Sequence, residues 1–228
     1  MNIETKEHLQ EGVWVIGDVH GEYEKLVTLL AKLPKNAQIC FVGDVVDKGK
    51  QSSKVIDLII KNDYLCVLGN HEIMMSQCSY PQDKNHDMWL MCGGQETLDS
   101  YEDGEISYEH YKWLTTLPYY YYFSFDGDSL PLVVSHSYIH NLWVDSSYRY
   151  THKEAKDILW KKMDKEELFD SHQEHKNQIF NIFGHTPLSR VKLSNYYAMV
   201  DTGATYKKNE TMGRLTALHY PSLELLSS

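Results

Sequence analysis

The chain has 228 residues, 42% of them hydrophobic and 24% charged, a balance that excludes disorder, collagen and coiled coil. At about 150 residues per domain this length fits one to two domains, and it buries a core without disulfide or zinc staples. Twenty-two basic residues stand against 32 acidic ones, a net of -10, and a field of that sign repels nucleic-acid backbones. A phosphate-bearing substrate would need local positive charge, and the 12 histidines point to metal ions as its source. Cys40, Cys66, Cys78 and Cys92 show no CxxC spacing, which favours reduced thiols in a cytoplasmic protein over a secreted disulfide framework. The first dozen residues are polar with no apolar signal core, and no stretch approaches the roughly 18 apolar residues of a membrane span. The expectation is a soluble, cytoplasmic chain with no nucleic-acid or membrane partner. Residues 1–12 are expected as a polar lead-in, and residues 13–228 as one domain.

In chain order, Val13-Trp14-Val15-Ile16 is a short apolar run followed by Gly17-Asp18 and a helical pattern from Glu22 to about Leu33, stopped by Pro34 and Asn36. Ile39-Cys40-Phe41-Val42 repeats the rhythm, with Gly43-Asp44 and a helix near Ser53 to Lys61. Leu65-Cys66-Val67-Leu68 is the third run, followed by Gly69-Asn70. Short runs apolar on both faces, alternating with amphipathic helices, indicate buried parallel strands in βαβ units. The glycines ending the runs lie 26 residues apart both times (17 to 43, 43 to 69), as expected if equivalent strand ends line up on one edge of a sheet. The segment from Glu72 to about Leu117 reads as mostly helical, broken at Gly93-Gly94 and Asp103-Gly104. Tyr119 to Phe125 and Leu130 to Ser135 read as a hairpin around Asp126-Gly127-Asp128. Thr151 to Asn177 is charged and helical, Ile179 to Phe183 returns as a strand ending in Gly184-His185, and Ala198 to Asp201 and Leu215 to Tyr220 add further strands. With no linker in view, the fold class is α/β, one domain built as a layered sandwich.

Sites in open α/β sheets form just beyond the carboxyl ends of the strands, so Asp18, His20, Asp44, Asn70, His71, His136 and His185 should converge although they span most of the chain. Carboxylates, an amide oxygen and imidazoles suit a pair of divalent ions such as manganese, iron or zinc, and Asp44, at the middle strand end, is placed to bridge them.

GDVHG (17–21), GDVVDKG (43–49) and GNHE (69–72), with VVSHS (133–137), FGHTP (183–187) and VDTGA (200–204) in order behind them, closely resemble the blocks of the phosphoprotein phosphatase family of calcineurin-like metallophosphoesterases. The nearest likeness is to the small bacterial and bacteriophage serine/threonine phosphatases of the lambda type, from about Val13 to the C-terminus. That resemblance implies an α/β/β/α sandwich and a dinuclear centre, with manganese its foremost candidate ion. It implies that Asp18 and His20 bind the first metal, that Asp44 bridges, and that Asn70, His136 and His185 bind the second. His71 is implied as general acid, with Asp47 the carboxylate that holds it. The implied reaction is hydrolysis of phosphoserine or phosphothreonine, and conceivably phosphotyrosine, on a protein or small phosphorylated substrate by direct attack of a metal-bridging hydroxide. Such a site needs no protein nucleophile, since two metals lower the pKa of a bridging water to about 7 and an imidazolium can protonate the leaving alkoxide.

A single Gly-Asp is usually a turn and a lone histidine usually packed or solvated, but three strand ends bearing the full set make coincidence improbable. His140 is the alternative to His136, which is preferred because an apolar run leads into it. His172 and His175 read as a solvated helix face, the cysteines as inert thiols, and Tyr119 to Tyr122 as strand aromatics.

The chain departs from the family's pattern where GDxVDRG becomes Lys48, where an arginine commonly precedes GNHE and Leu68 stands instead, and where a Trp-x-Arg pattern becomes Trp160-Lys161-Lys162. Lysine keeps the charge but loses the bidentate fork. Lys48 and Lys162 are the expected phosphate-facing cations, and a high KM for small phosphomonoesters is expected. A symmetrical dinucleoside tetraphosphate hydrolase is the alternative, favoured by Leu68 and opposed by Asp47 and Glu72. A non-catalytic metal-binding module is the remaining class, and the complete ligand and acid set argues against it.

Overall fold

The structure is a computed structural model describing residues 4–6, 12–139, 142–145, 147, 150–162, 178–206 and 211–228. His140 and the charged stretch after Lys162 (residues 163–177, His172 and His175 included) lie outside the described residues.

Four short strands come first with two helices: β1 (Glu4–Lys6), β2 (Val13–Ile16), α1 (Tyr23–Leu30), β3 (Ile39–Phe41), α2 (Ser52–Lys61) and β4 (Leu65–Cys66). A helical stretch follows: α3 (Asn70–Cys78), α4 (His86–Trp89), a π-helical turn (Leu90–Gly94), α5 (Gln95–Leu98) and α6 (Tyr108–Leu114). The remainder is β5 (Tyr120–Phe123), β6 (Leu132–Ser135), α7 (His152–Trp160), β7 (Phe180–Phe183), β8 (Lys192–Leu193), β9 (Tyr197–Met199), β10 (Thr216–Tyr220) and β11 (Leu225–Ser227).

These strands form two mixed sheets. One runs β11-β10-β2-β3-β4, with β2, β3 and β4 parallel to one another. The other runs β1-β5-β6-β7-β9-β8, with β6, β7 and β9 parallel. Alternation along the strands sorts the side chains into layers. Val13 and Val15 of β2 join Phe123, Val134, Ile182 and Leu218 in the cluster between the sheets, whereas Trp14 and Ile16 face the opposite way. There they meet α1 through Leu26 and Leu29, and α2 through Val55, Ile56 and Ile59, whose spacing places them on one helical face. On the far side of the second sheet, Tyr120 and Val133 pack with Ile158 of α7 and with Trp143. The layers are therefore α/β/β/α, in one domain. Each fully buried Val, Leu or Ile of these clusters stabilises the fold by roughly 1.5–3 kcal/mol.

Three strands differ from the expectation. The polar lead-in contributes β1, which pairs in parallel with β5 at the sheet edge. β8 and β11 also close edges, and runs this short carry no readable alternation. The hairpin β5–β6 pairs Tyr120 with Ser135 and Phe123 with Leu132, and the tyrosine run packs rather than stacks outward: Tyr122 lies flat on Trp143, ring centroids 5.7 Å apart. The break at Gly93 has a backbone cause, a φ of 107° that a side chain would strain; it sits inside the π-helical turn, a feature often found at functional sites.

Candidate active site

The carboxyl ends of β2, β3 and β4 point the same way, and the loops that follow carry Asp18 and His20, Asp44 and Asp47, and Asn70 and His71. From the second sheet, the parallel strands β6 and β7 bring His136 and His185 to the same edge. Two bonds tie the sheets together there. His136 Nδ1 donates to the Val42 carbonyl at 2.9 Å, and the His185 backbone N–H donates to both oxygens of Asp18 at 3.1 and 3.2 Å. His20, Asp44, Asp47, Lys48 and His185 all have φ between 47° and 70°, the left-handed region, which costs on the order of 1–3 kcal/mol per residue and persists only where the surroundings hold it.

Two groups of donor atoms result, His20 with Asp44 and His71, and Asp44 with His136 and His185. Asp44 belongs to both. Asn70 Oδ1 joins the second group, 2.8 Å from His136 Nε2 and 3.0 Å from His185 Nδ1. Asp18 is buried alongside, within electrostatic reach of Asp44 and Asp201.

The chemistry of these donors fits cations. His136 Nδ1 and His20 Nδ1 both face carbonyl oxygens, of Val42 and Val46, at 2.9 Å, so both carry their proton on Nδ1 and present a lone pair at Nε2. The His136 lone pair then faces an amide oxygen, the His185 ring and, at 3.5 Å, Asp44 Oδ1. Lone pairs gathered in a buried space repel unless a cation sits among them, and orienting a ligand imidazole through its other nitrogen is how metal sites are built. Burial pushes His20 down to about 3, with Lys48 and His71 adding to the shift, and pushes His185 down to about 4 with help from His136; His136 is lowered for the same first reason. All three imidazoles are therefore neutral, and able to ligate, at neutral pH. Burial alone would raise Asp44, but His136, His71 and His20 outweigh it and hold the carboxyl well below its ordinary value. Asp18 goes the other way, raised by burial, by Asp201 and by Asp44, the signature of crowded anions that a divalent charge would relieve.

His71 is arranged differently. Its Nδ1 lies 2.7 Å from Asp47 Oδ2, its backbone N–H donates to Asp44 Oδ1 at 3.0 Å, and its Nε2 is 3.8 Å from Asp44 Oδ2. Burial lowers its pKa, but the Asp44 charge and the hydrogen bond and charge of Asp47 overcome that and leave it raised. An imidazole held this way can keep a proton on the face that looks into the site.

Lys48 reaches the centre, with Nζ 2.8 Å from His20 Nε2. Lys162 is exposed, and its charge is felt at His185. Leu68 does not face the site. It is buried in the apolar cluster beneath α1 and α2, with its backbone N–H on the Pro118 carbonyl, because an aliphatic side chain here gains more from packing than from a polar rim. A cleft of about 570 Å3 opens beside His71 and Lys48, walled by Leu90, Met91, Cys92, Gly93, Gln95 and Glu96.

Several residues that matter here were given no site role from sequence, where Glu72 and Asp201 entered only as letters of the GNHE and VDTGA blocks. Glu72, fully buried, accepts backbone N–H bonds from Asp44 and Val45 at 2.8 Å, from Gly69 at 2.9 Å and from Val46 at 3.4 Å. It thereby ties the loop bearing Asp44 to the start of α3. Its place three residues after Gly69 is a capping-box position, a sequence signal for this backbone role. Gly69 is required for that closeness, since a Cβ there would lie 2.5 Å from Glu72 Oε2. Trp89 and Thr97 hold Asp47, and Asp201 lies among the anions, pushed up to about 6 by burial and Asp44.

Residues 12–213 match the family model described as calcineurin-like phosphoesterase. Serine/threonine-protein phosphatase 2 of Escherichia coli is 38% identical over 95 residues, which is 40% of this chain and 43% of that enzyme. Bis(5'-nucleosyl)-tetraphosphatase PrpE of Anoxybacillus flavithermus, designated asymmetrical, is 26% identical over 93% of this chain and 92% of its own length. The chain thus spans less than half of the first relative and nearly all of the second. Among solved structures, a putative diadenosine tetraphosphatase superposes with a TM-score of 0.67 at 18% identity, covering 100% of this chain and 98% of that one. A cold-active protein-tyrosine phosphatase from a Shewanella species gives 0.57 at 17% identity, covering 98% and 78%. These two similarities establish the fold alone.

Proposed function

Because the chain belongs to the calcineurin-like phosphoesterase family, a class of metal-dependent phosphoesterases, we propose that it is a phosphomonoesterase acting on phosphoserine and phosphothreonine of proteins. The observation that carries this reading is the His71–Asp47 pair, 2.7 Å apart, set against two donor groups that share Asp44. Asp18, His20 and Asp44 would hold one divalent ion, and Asp44, Asn70, His136 and His185 the other. When bound, such a pair supplies a hydroxide-forming water at neutral pH and neutralises charge on the phosphoryl oxygens.

The chain's own residues do the rest. Asp44 and Asn70 are presented by glycine-ended strands whose backbones the Glu72 carboxylate clamps together. Lys48 adds a cation beside the phosphoryl group, and Lys162 a second at the rim. His71, its proton kept by Asp47, donates from Nε2 to the departing oxygen. That step is worth roughly 10²–10⁴-fold in general, and it matters most for a poor leaving group such as a serine alkoxide. A nucleoside phosphate leaves readily without it. The cleft on the His71 side agrees: Lys48 is its cation and Glu96 its carboxylate, with Leu90, Met91 and Gly93 between. Such walls suit a peptide and offer little to a polyanionic leaving group.

Hydrolysis of dinucleoside tetraphosphates is the second reading, favoured by the end-to-end similarity to the asymmetrical tetraphosphatase; in that reading the symmetrical class, the alternative raised from sequence, gives way to the asymmetrical one. Turnover by the manganese-loaded protein on phosphoserine peptide, phosphotyrosine peptide and dinucleoside tetraphosphate, compared by kcat/KM, decides. Preference for phosphoserine peptide is expected, and preference for the dinucleotide would overturn the choice. His71→Asn should lower kcat by roughly 10² or more on the peptide and much less on a nitrophenyl ester.

A further inference from the structure

The carboxylate that holds His71 is itself gripped by a separate part of the chain. Asp47 is fully buried. Its Oδ2 accepts from His71 Nδ1 at 2.7 Å and from Trp89 Nε1 at 3.0 Å, and its Oδ1 accepts from Thr97 Oγ1 at 2.7 Å and from Trp89 Nε1 at 3.2 Å. The indole N–H is forked across both oxygens. An indole nitrogen can only donate, so Trp89 engages Asp47 as an acceptor at both oxygens. The Asp47 backbone N–H is claimed as well, by Thr97 Oγ1 at 2.9 Å and Ser52 Oγ at 3.1 Å. Thr97 gives its one hydroxyl proton to Asp47 Oδ1, so Ser52, 2.9 Å away, is the donor between those two hydroxyls. Trp89, Thr97 and Ser52 are all fully buried. Asp47 also holds a φ of 70°, a conformation that needs such external support.

Trp89 and Thr97 flank the π-helical turn, whose Gly93 carbonyl accepts the Lys48 backbone N–H at 3.0 Å and whose outer residues wall the cleft beside His71. One short segment therefore fixes the proton donor's partner from within and lines the space of the leaving group from without.

The geometry points to Trp89 and Thr97 as positioning residues for proton donation. They lock the rotamer of Asp47, and through it the ring orientation of His71, without touching the substrate. This rests on the reading of His71 as general acid. Free rotation of Asp47 would let the imidazole turn its Nε2 away from the departing oxygen, so the loss should appear in kcat and scale with how much the leaving group needs its proton.

The test compares Trp89→Phe, Thr97→Val, Thr97→Ser and His71→Asn in the manganese-loaded protein. Substrates are phosphoserine peptide, an alkyl phosphate and a nitrophenyl phosphate. Trp89→Phe keeps an aromatic ring but no N–H; Thr97→Val keeps the shape but no hydroxyl. Each is expected to lower kcat on the two alkoxide substrates about tenfold, a part of the roughly 10²-fold or larger general-acid contribution, with KM unchanged and less than about twofold loss on the nitrophenyl ester. Thr97→Ser should restore wild-type rates. In proton NMR of the metal-free protein, the His71 Nδ1–H resonance should exchange with water faster in Trp89→Phe and Thr97→Val than in wild type or Thr97→Ser. If Trp89→Phe does not fold, the Thr97 pair carries the test. A loss equal on all substrates, a loss seen in KM, or no loss, alongside a leaving-group-dependent His71→Asn, overturns the positioning role and leaves the acid intact. A flat response of His71→Asn itself overturns both.

Discussion

Glu72→Gln is a sharp probe of how the centre is assembled: burial and the Asp44 charge push the Glu72 carboxyl up to about 7, so above that pH the substitution removes one charge and almost no volume. The carboxylate serves four backbone N–H donors: Oε2 takes Asp44 at 2.8 Å and Gly69 at 2.9 Å, and Oε1 takes Val45 at 2.8 Å and Val46 at 3.4 Å. A glutamine keeps one acceptor oxygen and turns the other into a donor. The least costly orientation gives up Val45 and the long Val46 contact, leaving one well-made buried N–H unpaired at about 1–3 kcal/mol. The two bonds that remain lose their charge assistance, falling from about 1.5–3 to about 0.5–1.5 kcal/mol each. Together these come to about 3–6 kcal/mol, a large part of the roughly 5–15 kcal/mol that holds a domain folded. The same change frees Asp44 from a left-handed conformation at φ 50°, so metal affinity should fall further than stability alone accounts for. Urea unfolding of the metal-free protein measures the first effect, and manganese titration of the still-folded variant measures the second. Glu72→Asp, which keeps the charge on a shorter arm, should fall between. A loss below about 1 kcal/mol with unchanged manganese affinity would show that the four contacts do not hold the loop, and the reasoning fails.

Asp44→Asn should deplete both metals together, since both donor groups share this residue; elemental analysis showing two ions per chain with normal turnover sinks the bridging assignment. His20 has a folded pKa pushed down to about 3, first by burial, so between about 6.5 and 3 the unfolded chain takes up a proton that the folded one refuses. Stability carried by this group is lost as pH falls through that window, by up to about 1.4 kcal/mol per pH unit. His20→Asn should therefore flatten the dependence of metal-free stability on pH relative to wild type, and an equally steep or steeper fall in the variant counts against the assignment. Leu68→Arg should cost on the order of 3 kcal/mol or more by placing a cation in the apolar cluster. A folded Leu68→Arg protein with a lower KM and tighter phosphate inhibition would put that side chain at the phosphate after all.

What could be read from the sequence, and what could not, divides along a physical line. Asp18, Asp44, Asn70, His136 and His185 were legible because parallel strands place their carboxyl ends on one edge, so topology alone gathers whatever the next residues are. The apolar runs showed the strands, and the spacing of Val55, Ile56 and Ile59 showed the helix covering them. β1, β8 and β11 carry only 3, 2 and 3 residues, and their pairing depends on partners elsewhere in the chain. At Leu68, where the family commonly has an arginine, the motif position tells which backbone slot the residue fills, whereas the side chain obeys its own chemistry and turned into the core. Glu72, Trp89 and Thr97 belong to a third kind. Nothing local marks a tryptophan at 89 as the partner of an aspartate at 47, since the contact arises from how a helical segment folds back across the strand ends. Glu72 reaches the donor groups only through the backbone of the Asp44 loop, while Trp89 and Thr97 bond both oxygens of Asp47. A buried carboxylate costs several kcal/mol unless its oxygens are fully met, so each buried acid at this site, Asp47 and Glu72 alike, recruits donors from outside the motif that contains it. Motif blocks therefore indicate what the site is made of, while the intervening helices decide how firmly Asp47, and with it the His71 ring, is held.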